Sequence, residues 1–175
     1  LLALCALQLS ARDWYVTGKG NDMNDGKTEQ SARRTLQSVA DEVNPGDIVY
    51  IGDGIYTSDE KEGVLRIFRS GTEKAWITWR AIKGQYPVIR PDKWCGIKVH
   101  GSYHIFDGLR VIGVNDSLAL KYAIADTKNA TPNPVFNTNG ISAGATGAKT
   151  GVPHHVIIRN CIIHDMPGGG AGAMQ

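Results

Sequence analysis

The chain has 175 residues, 42% of them hydrophobic and 21% charged, with a formal net charge of +2. That composition can bury a core and excludes disorder by composition. The weak net charge gives no ground for a nucleic-acid or membrane-surface partner, while an acidic polymer stays open because local groove charge matters more than the total.

Residues 1–11 are an apolar run, Leu1-Leu2-Ala3-Leu4-Cys5-Ala6-Leu7-Gln8-Leu9-Ser10-Ala11, closed at once by Arg12-Asp13. The run is too short to span a bilayer and has the length of a signal-peptide core, with Ser10-Ala11 as small residues for cleavage. It is read as the remnant of a signal peptide, and no membrane insertion is expected; an ordinary first strand or helix is the alternative. Leu4 before Cys5 disfavours a lipid anchor, which wants a small residue there. The mature chain, 12–175, then carries Cys95 and Cys161. Both sit in apolar strand patterns, where a free cysteine behaves as a small hydrophobe, and spacing alone does not decide whether they pair.

After Trp14-Tyr15-Val16 comes a polar, glycine-rich stretch, 17–26, which reads as a solvated turn. It lacks the alternating carboxylates and closing Glu of an EF-hand. Over 31–43 the apolar residues Leu36, Val39, Ala40 and Val43 recur at helical spacing, with Ser31 as N-cap and Asn44-Pro45-Gly46 as the stop. This is the one helix the pattern predicts. Short strands follow at 48–51, 55–56, 64–68, 76–81, 87–89 and 97–99, separated by turn residues.

Two later segments echo each other. Laying Gly108 on Asn160 aligns His104 with Val156, Phe106 with Ile158, Leu109 with Cys161 and Val111 with Ile163, so that strand, corner and strand recur after 52 residues. Self-similarity of this kind points to a solenoid. A sandwich or barrel would favour two-residue hairpin turns, and only Asp25-Gly26, Asp53-Gly54 and Asp107-Gly108 resemble them. The expected fold is therefore all-β, a right-handed parallel β-helix whose first coil is covered by the 31–43 helix. Residues 115–151, mixed in Ala, Thr, Asn and Gly, read as a long insertion of the sort that builds binding faces. The glycine-rich stretch 167–175 contains no capping element, so the expectation is a single solenoid domain truncated at the C-terminus.

Several of these segments together carry a resemblance: Trp14-Tyr15-Val16 with its glycine loop, Thr35-Leu36-Gln37-Ser38-Val39-Ala40, Pro45-Gly46-Asp47-Ile48-Val49, Gly54-Ile55-Tyr56, Trp76-Ile77-Thr78-Trp79 and Ile105-Phe106-Asp107-Gly108-Leu109. They resemble the N-terminal half of secreted parallel β-helix proteins of the pectate-lyase-like superfamily, above all the family 9 polysaccharide lyases and their uncharacterised bacterial relatives, over about 14–114 and 153–170. The resemblance implies an extracellular or periplasmic enzyme, monomeric when full length, that cleaves acidic polysaccharide by β-elimination. It also implies Ca2+ held by an aspartate cluster, with a Lys or Arg as base. No position in this chain matches that cluster, which places the base and the calcium ligands beyond Gln175.

Among the residues present, His164-Asp165 is the local candidate for chemistry, since it follows a strand beside a glycine run; a corner ordered by Asp is the plainer reading. Gly168-Gly169-Gly170 permits close approach of a sugar, or is simply a loop. His154-His155 cannot share a metal if they are strand neighbours, whose side chains point to opposite sides. Lys98, His100, Arg110, Lys121 and Arg159 are candidates for a basic face, with Arg110 and Arg159 suited to forked carboxylate contacts; scattered solvated charges are the alternative. Tyr15, Trp76, Trp79 and Trp94 are either sugar-stacking aromatics or core. Two other functions stay open: a β-helix glycoside hydrolase, which needs paired carboxylates, and a non-catalytic adhesin or glycan-binding protein.

Overall fold

The computed structural model describes residues 10–57, 62–144 and 151–174. Most of the expected signal-peptide remnant, 1–9, lies outside the described residues, as does 145–150 of the expected insertion.

The chain winds through three sheets in turn and, after an opening strand that joins sheet A alone, adds one strand to each on every pass. The opening strand is β1 (Asp13–Val16), followed by the short helix α1 (Gln37–Ala40). The next pass gives β2 (Ile48–Ile51), β3 (Ile55–Tyr56) and β4 (Leu65–Ile67). The one after gives β5 (Ile77–Ala81), β6 (Val88–Ile89) and β7 (Cys95–Val99). Then come β8 (His104–Asp107), β9 (Arg110–Ile112), helix α2 (Leu120–Asp126) and β10 (Asn139–Gly144). The last pass gives β11 (Val156–Arg159), β12 (Ile162–His164) and β13 (Ala171–Met174). Sheet A has the order β1-β2-β5-β8-β11, sheet B β3-β6-β9-β12 and sheet C β4-β7-β10-β13, and every pairing between these strands is parallel.

Alternation of side chains along each strand fills the interior with columns of aliphatic and aromatic residues. Trp14, Val49, Trp79, Phe106 and Ile158 are successive partners in sheet A, Tyr56, Ile89, Val111 and Ile163 in sheet B, and Leu65, Ile97, Ile141 and Ala171 in sheet C. All but the last of each column are buried, whereas Ile158 is 38% exposed. The 52-residue echo is the coil-to-coil register itself, with His104 paired to Val156, Asp107 to Arg159 and Val111 to Ile163. Its corner residues share a cause: Gly108 has φ 74° and Asn160 φ 54°, the left-handed conformation that glycine and asparagine tolerate best. Where the coils approach at Gly101, no side chain fits. A Cβ on Gly101 would lie 1.8 Å from the Arg69 carbonyl oxygen.

Two expectations need correction. The helix predicted over 31–43 is confined to Gln37–Ala40, because the backbone before it pairs with β1 instead: Arg33 N–H donates to Tyr15 O and Thr17 N–H to Arg33 O. Ser31 caps nothing, since its hydroxyl donates to the Asp25 carboxylate. Helical spacing of Leu36, Val39, Ala40 and Val43 reflects their shared burial, which one turn and its flanks achieve. The Gln37 side chain meets the edge strand β4, donating to Arg66 O and accepting from Arg66 N–H, as a neighbouring strand would.

The insertion expected over 115–151 contains β10, a full member of sheet C, so the excursion before that strand is 115–138. Its small residues are a packing requirement: a Cβ on Gly140 would lie 2.2 Å from Gly170 O. The excursion also holds α2, which the sequence pattern did not predict.

Candidate functional site

Polar chemistry gathers on the outer face of sheet C. In Leu65-Arg66-Ile67, Ile97-Lys98-Val99 and Ile141-Ser142-Ala143 the middle residue stands between two inward-facing neighbours, and register makes the three middle residues adjacent. The Lys98 ammonium donates to Ser142 Oγ at 3.3 Å, and Arg66 pairs with Glu62 at 3.2 Å. Lys98 and Ser142 open on a cavity of about 300 Å³ whose other walls include Glu62, Trp94, His100 and Asn139. His100 stacks flat on Phe68, with ring centroids 4.5 Å apart. Burial first, and then the Lys98 charge, lowers the His100 pKa, which favours a neutral ring.

Cys95 forms part of the cavity floor. Its thiol donates to Ile97 O at 3.0 Å, and burial pushes its pKa up to about 11. A thiol so held is a packing residue and not a nucleophile. Maleimide labelling of the folded protein at pH 7.5 should therefore leave Cys95 unmodified and label it only after denaturation. Rapid native labelling, read by mass spectrometry, would contradict this. Both Cys95 and Cys161 are free thiols.

The five basic candidates do not share one face. Lys98 lies on β7 of sheet C with His100 just after it, Arg110 opens β9 of sheet B and lies over the Tyr86 ring at 4.4 Å, and Lys121 lies over Tyr122 on α2. Arg159 pairs with Asp107 at 3.0 Å on the outer face of sheet A, where Arg80 pairs with the same carboxylate at 3.2 Å. Partial burial alone would raise the Asp107 pKa, but hydrogen bonds from Asn160 and Arg159 and the charges of Arg159 and Arg80 hold it below its ordinary value. This is a ladder between coils, with its acceptors occupied.

The aromatic candidates divide similarly. Trp79 is core, its indole N–H donating to His104 Nδ1 at 3.3 Å, and Tyr15 stacks on Tyr50. Trp76 meets Tyr103 edge-on. Trp94, 39% exposed, is the one of the four that lines the sheet C cavity.

His164 and Asp165 touch each other at 2.7 Å at the end of β12, half exposed and outside that cavity. Their carbonyls accept from Gly113 N–H and Asn115 N–H, which ties the coils together. Gly168-Gly169-Gly170 runs against the neighbouring coil, with Gly168 N–H donating to Thr138 O and Gly169 N–H to the Asn139 side chain. The histidine pair corrects an expectation. His155 has φ 55° ahead of β11, so His154 and His155 are not strand neighbours, and their Nδ1 atoms meet at 2.6 Å.

No group of three or more His, Cys, Asp or Glu that would hold a metal occurs among the described residues. Asp22, Asp47 and Asp107 are already filled by protein donors: Asp22 accepts from Arg34 N–H, Thr35 N–H and the Thr35 hydroxyl. The described residues therefore do not fit calcium. Sequence reasoning did not single out Glu62, Arg66, Asn139 or Ser142. The signal for Arg66 was present, a charged residue between two inward aliphatics as in Ile97-Lys98-Val99, whereas small residues around Ser142 hid its strand.

Among solved structures, the chain superposes on a rhamnogalacturonan lyase with a TM-score of 0.53 and 24% identity, over 59% of this chain and 29% of that one. It superposes on the GH136 lacto-N-biosidase from Eubacterium ramulus with a TM-score of 0.64 and 19% identity, over 90% of this chain and 28% of that one. The chain has their parallel β-helix fold. At such identities the likeness is one of fold, and the chain spans less than a third of the length of either structure. No family model matches the chain, and no curated protein matches it. Among the described residues, no helix is long and apolar enough to cross a membrane.

Proposed function

We propose that this chain belongs to an exported, carbohydrate-active β-helix protein that takes an acidic, uronate-containing polysaccharide on the outer face of sheet C and cleaves it by β-elimination. The observation that carries the reading is the row of Arg66, Lys98 and Ser142 beside a cavity walled by Trp94. Sugar recognition asks for such a mixture, with charged and hydroxyl donors for carboxylate and ring oxygens and an aromatic face for the apolar side of a pyranose. Lys98 is the cation that meets the uronate carboxylate, and Ser142 and Asn139 supply hydroxyl partners. Export rests on the apolar run at 1–11.

In the proposed reaction a base takes the proton from the carbon beside the carboxylate. The glycosidic carbon–oxygen bond breaks with its electron pair leaving on oxygen, and a carbon–carbon double bond forms. Calcium dependence comes from the family resemblance alone, so no step is routed through the ion. Hydrolysis by paired carboxylates is less well supported, because Glu62 is the one carboxylate among the described residues around the cavity.

Incubation with pectate, alginate and glycosaminoglycan panels tests the reading. Ultraviolet absorbance from unsaturated ends is the expected result. Lys98→Ala should weaken uronate binding about tenfold, the worth of one charge-assisted contact, without changing Tm appreciably. Binding without unsaturated products would make the protein a glycan-binding surface, and absence of binding would remove the sheet C reading altogether.

A further inference from the structure

His154 and His155 stand just ahead of β11 and do not line the sheet C cavity. Consecutive side chains on an extended strand point apart, but His155 has φ 55°, and the kink turns both rings to one side, where their Nδ1 atoms lie 2.6 Å apart. The kink belongs to the corner of the coil: Tyr103, the counterpart of His155 one coil earlier, has φ 62°.

The neighbouring coil holds the pair in place. His154 N–H donates to Ser102 Oγ at 3.1 Å, His154 O accepts from Tyr103 N–H at 3.1 Å and His155 O from His104 N–H at 3.0 Å. The rings are packed as well. Tyr103 stacks on His155 with centroids 4.7 Å apart and meets His154 edge-on at 5.1 Å. Both imidazoles are exposed, and each Nδ1 has the other as its polar partner. A proton between them engages one lone pair, whereas a metal ion engages both once each ring carries its own proton on Nε2, which exposed rings reach through solvent.

Geometry chooses the metal. At metal–imidazole distances of about 2.0–2.1 Å, two ligand nitrogens lie roughly 2.9 Å apart at a right angle and roughly 3.3 Å apart at a tetrahedral angle. The separation of 2.6 Å is nearer the first, so the square or tetragonal geometry of copper needs less opening of the rings than the tetrahedral geometry of zinc. Copper is also the strongest binder among the divalent ions of its row.

We infer that His154 and His155 bind one copper(II) ion through their Nδ1 atoms, in a tetragonal site whose remaining positions are filled by water. Among the described residues no third His, Cys, Asp or Glu joins them, which leaves the site open. The inference is independent of the glycan reading of sheet C, and either can fail without the other.

Calorimetric titration of the protein with copper(II) chloride at pH 7.5, followed by electron paramagnetic resonance of the complex, tests it. One ion per chain is expected, with a tetragonal spectrum split by two imidazole nitrogens, and zinc should bind at least about tenfold more weakly. His154→Gln and His155→Asn should each weaken copper binding by about tenfold or more. Asparagine tolerates the left-handed conformation, so His155→Asn removes the imidazole and keeps the corner, and the urea midpoint without copper checks that it does. Should that midpoint fall, His154→Gln decides. His164→Ala removes an exposed imidazole elsewhere and should leave the affinity unchanged. No saturable copper binding, binding that survives His154→Gln, a spectrum with a single imidazole nitrogen, or zinc bound more tightly than copper would overturn the inference.

Discussion

Asp47→Ala is expected to destabilise the protein by about 3–4 kcal/mol, the largest loss from any single side chain outside the apolar columns. The Asp47 carboxylate is 1% exposed and accepts three hydrogen bonds. Arg12 N–H donates to it at 2.8 Å, the Trp14 indole N–H at 2.9 Å and Asn44 N–H at 2.9 Å. One buried anion thus fastens the start of β1, the first large core residue and the loop that leads into β2. Hydrogen bonds to a charged acceptor contribute more than neutral ones, and removing the acceptor strands donors that water reaches poorly. Asp47→Asn keeps an acceptor oxygen but loses the charge and gains a donor without a partner, so it should cost about half as much. With total stabilities of roughly 5–15 kcal/mol for a domain, the alanine variant should show a greatly lowered urea midpoint. A loss below about 1 kcal/mol would show that the surrounding donors find other acceptors.

That residue also marks how far the sequence was legible. Asp47 sits within Pro45-Gly46-Asp47-Ile48-Val49, a run quoted for its resemblance and read locally as the end of a helix. Its partners, Arg12 and Trp14, are more than thirty positions away, and nothing in local spacing announces them. The solenoid was legible because its repeat is a long-range relation written directly in the sequence: the offset that aligns Phe106 with Ile158 is the register in which they pair. Inward and outward positions were legible wherever aliphatics alternate, as in Ile97-Lys98-Val99. They were hidden in Asn139-Gly140-Ile141-Ser142-Ala143-Gly144, where close packing of coils selects small residues and erases the contrast on which periodicity depends. The candidate site suffered most from this. Lys98, His100 and Trp94 were each marked by residue type, but only register sets Lys98 beside Ser142, and only register sends Arg159 to a different sheet.

Acidification from pH 7 to pH 4 is expected to remove roughly 3 kcal/mol of stability through His104 alone. The ring is fully buried between Trp79 and Arg69. Nδ1 accepts from the Trp79 indole N–H, which leaves the proton on Nε2 to be donated to Arg69 O at 2.8 Å. A second proton on Nδ1 would face that indole N–H, inside the core. Burial accordingly lowers the His104 pKa to about 4, against an ordinary value near 6.5. Between those two values the unfolded chain binds a proton that the folded protein refuses. Stability is therefore complete above about pH 6.5 and declines as pH falls toward 4. His100, lowered mainly by burial, acts in the same direction, while Asp22 and Asp107, held below their ordinary values, lose their contribution only at more acidic pH. His104→Gln offers an amide oxygen to the indole and an amide N–H to the carbonyl without a titrating group. Its urea midpoint should depend on pH distinctly less steeply than that of the wild type between 6.5 and 4, with the residual slope owed to His100. Equal slopes for the two proteins would place the acid sensitivity elsewhere in the core.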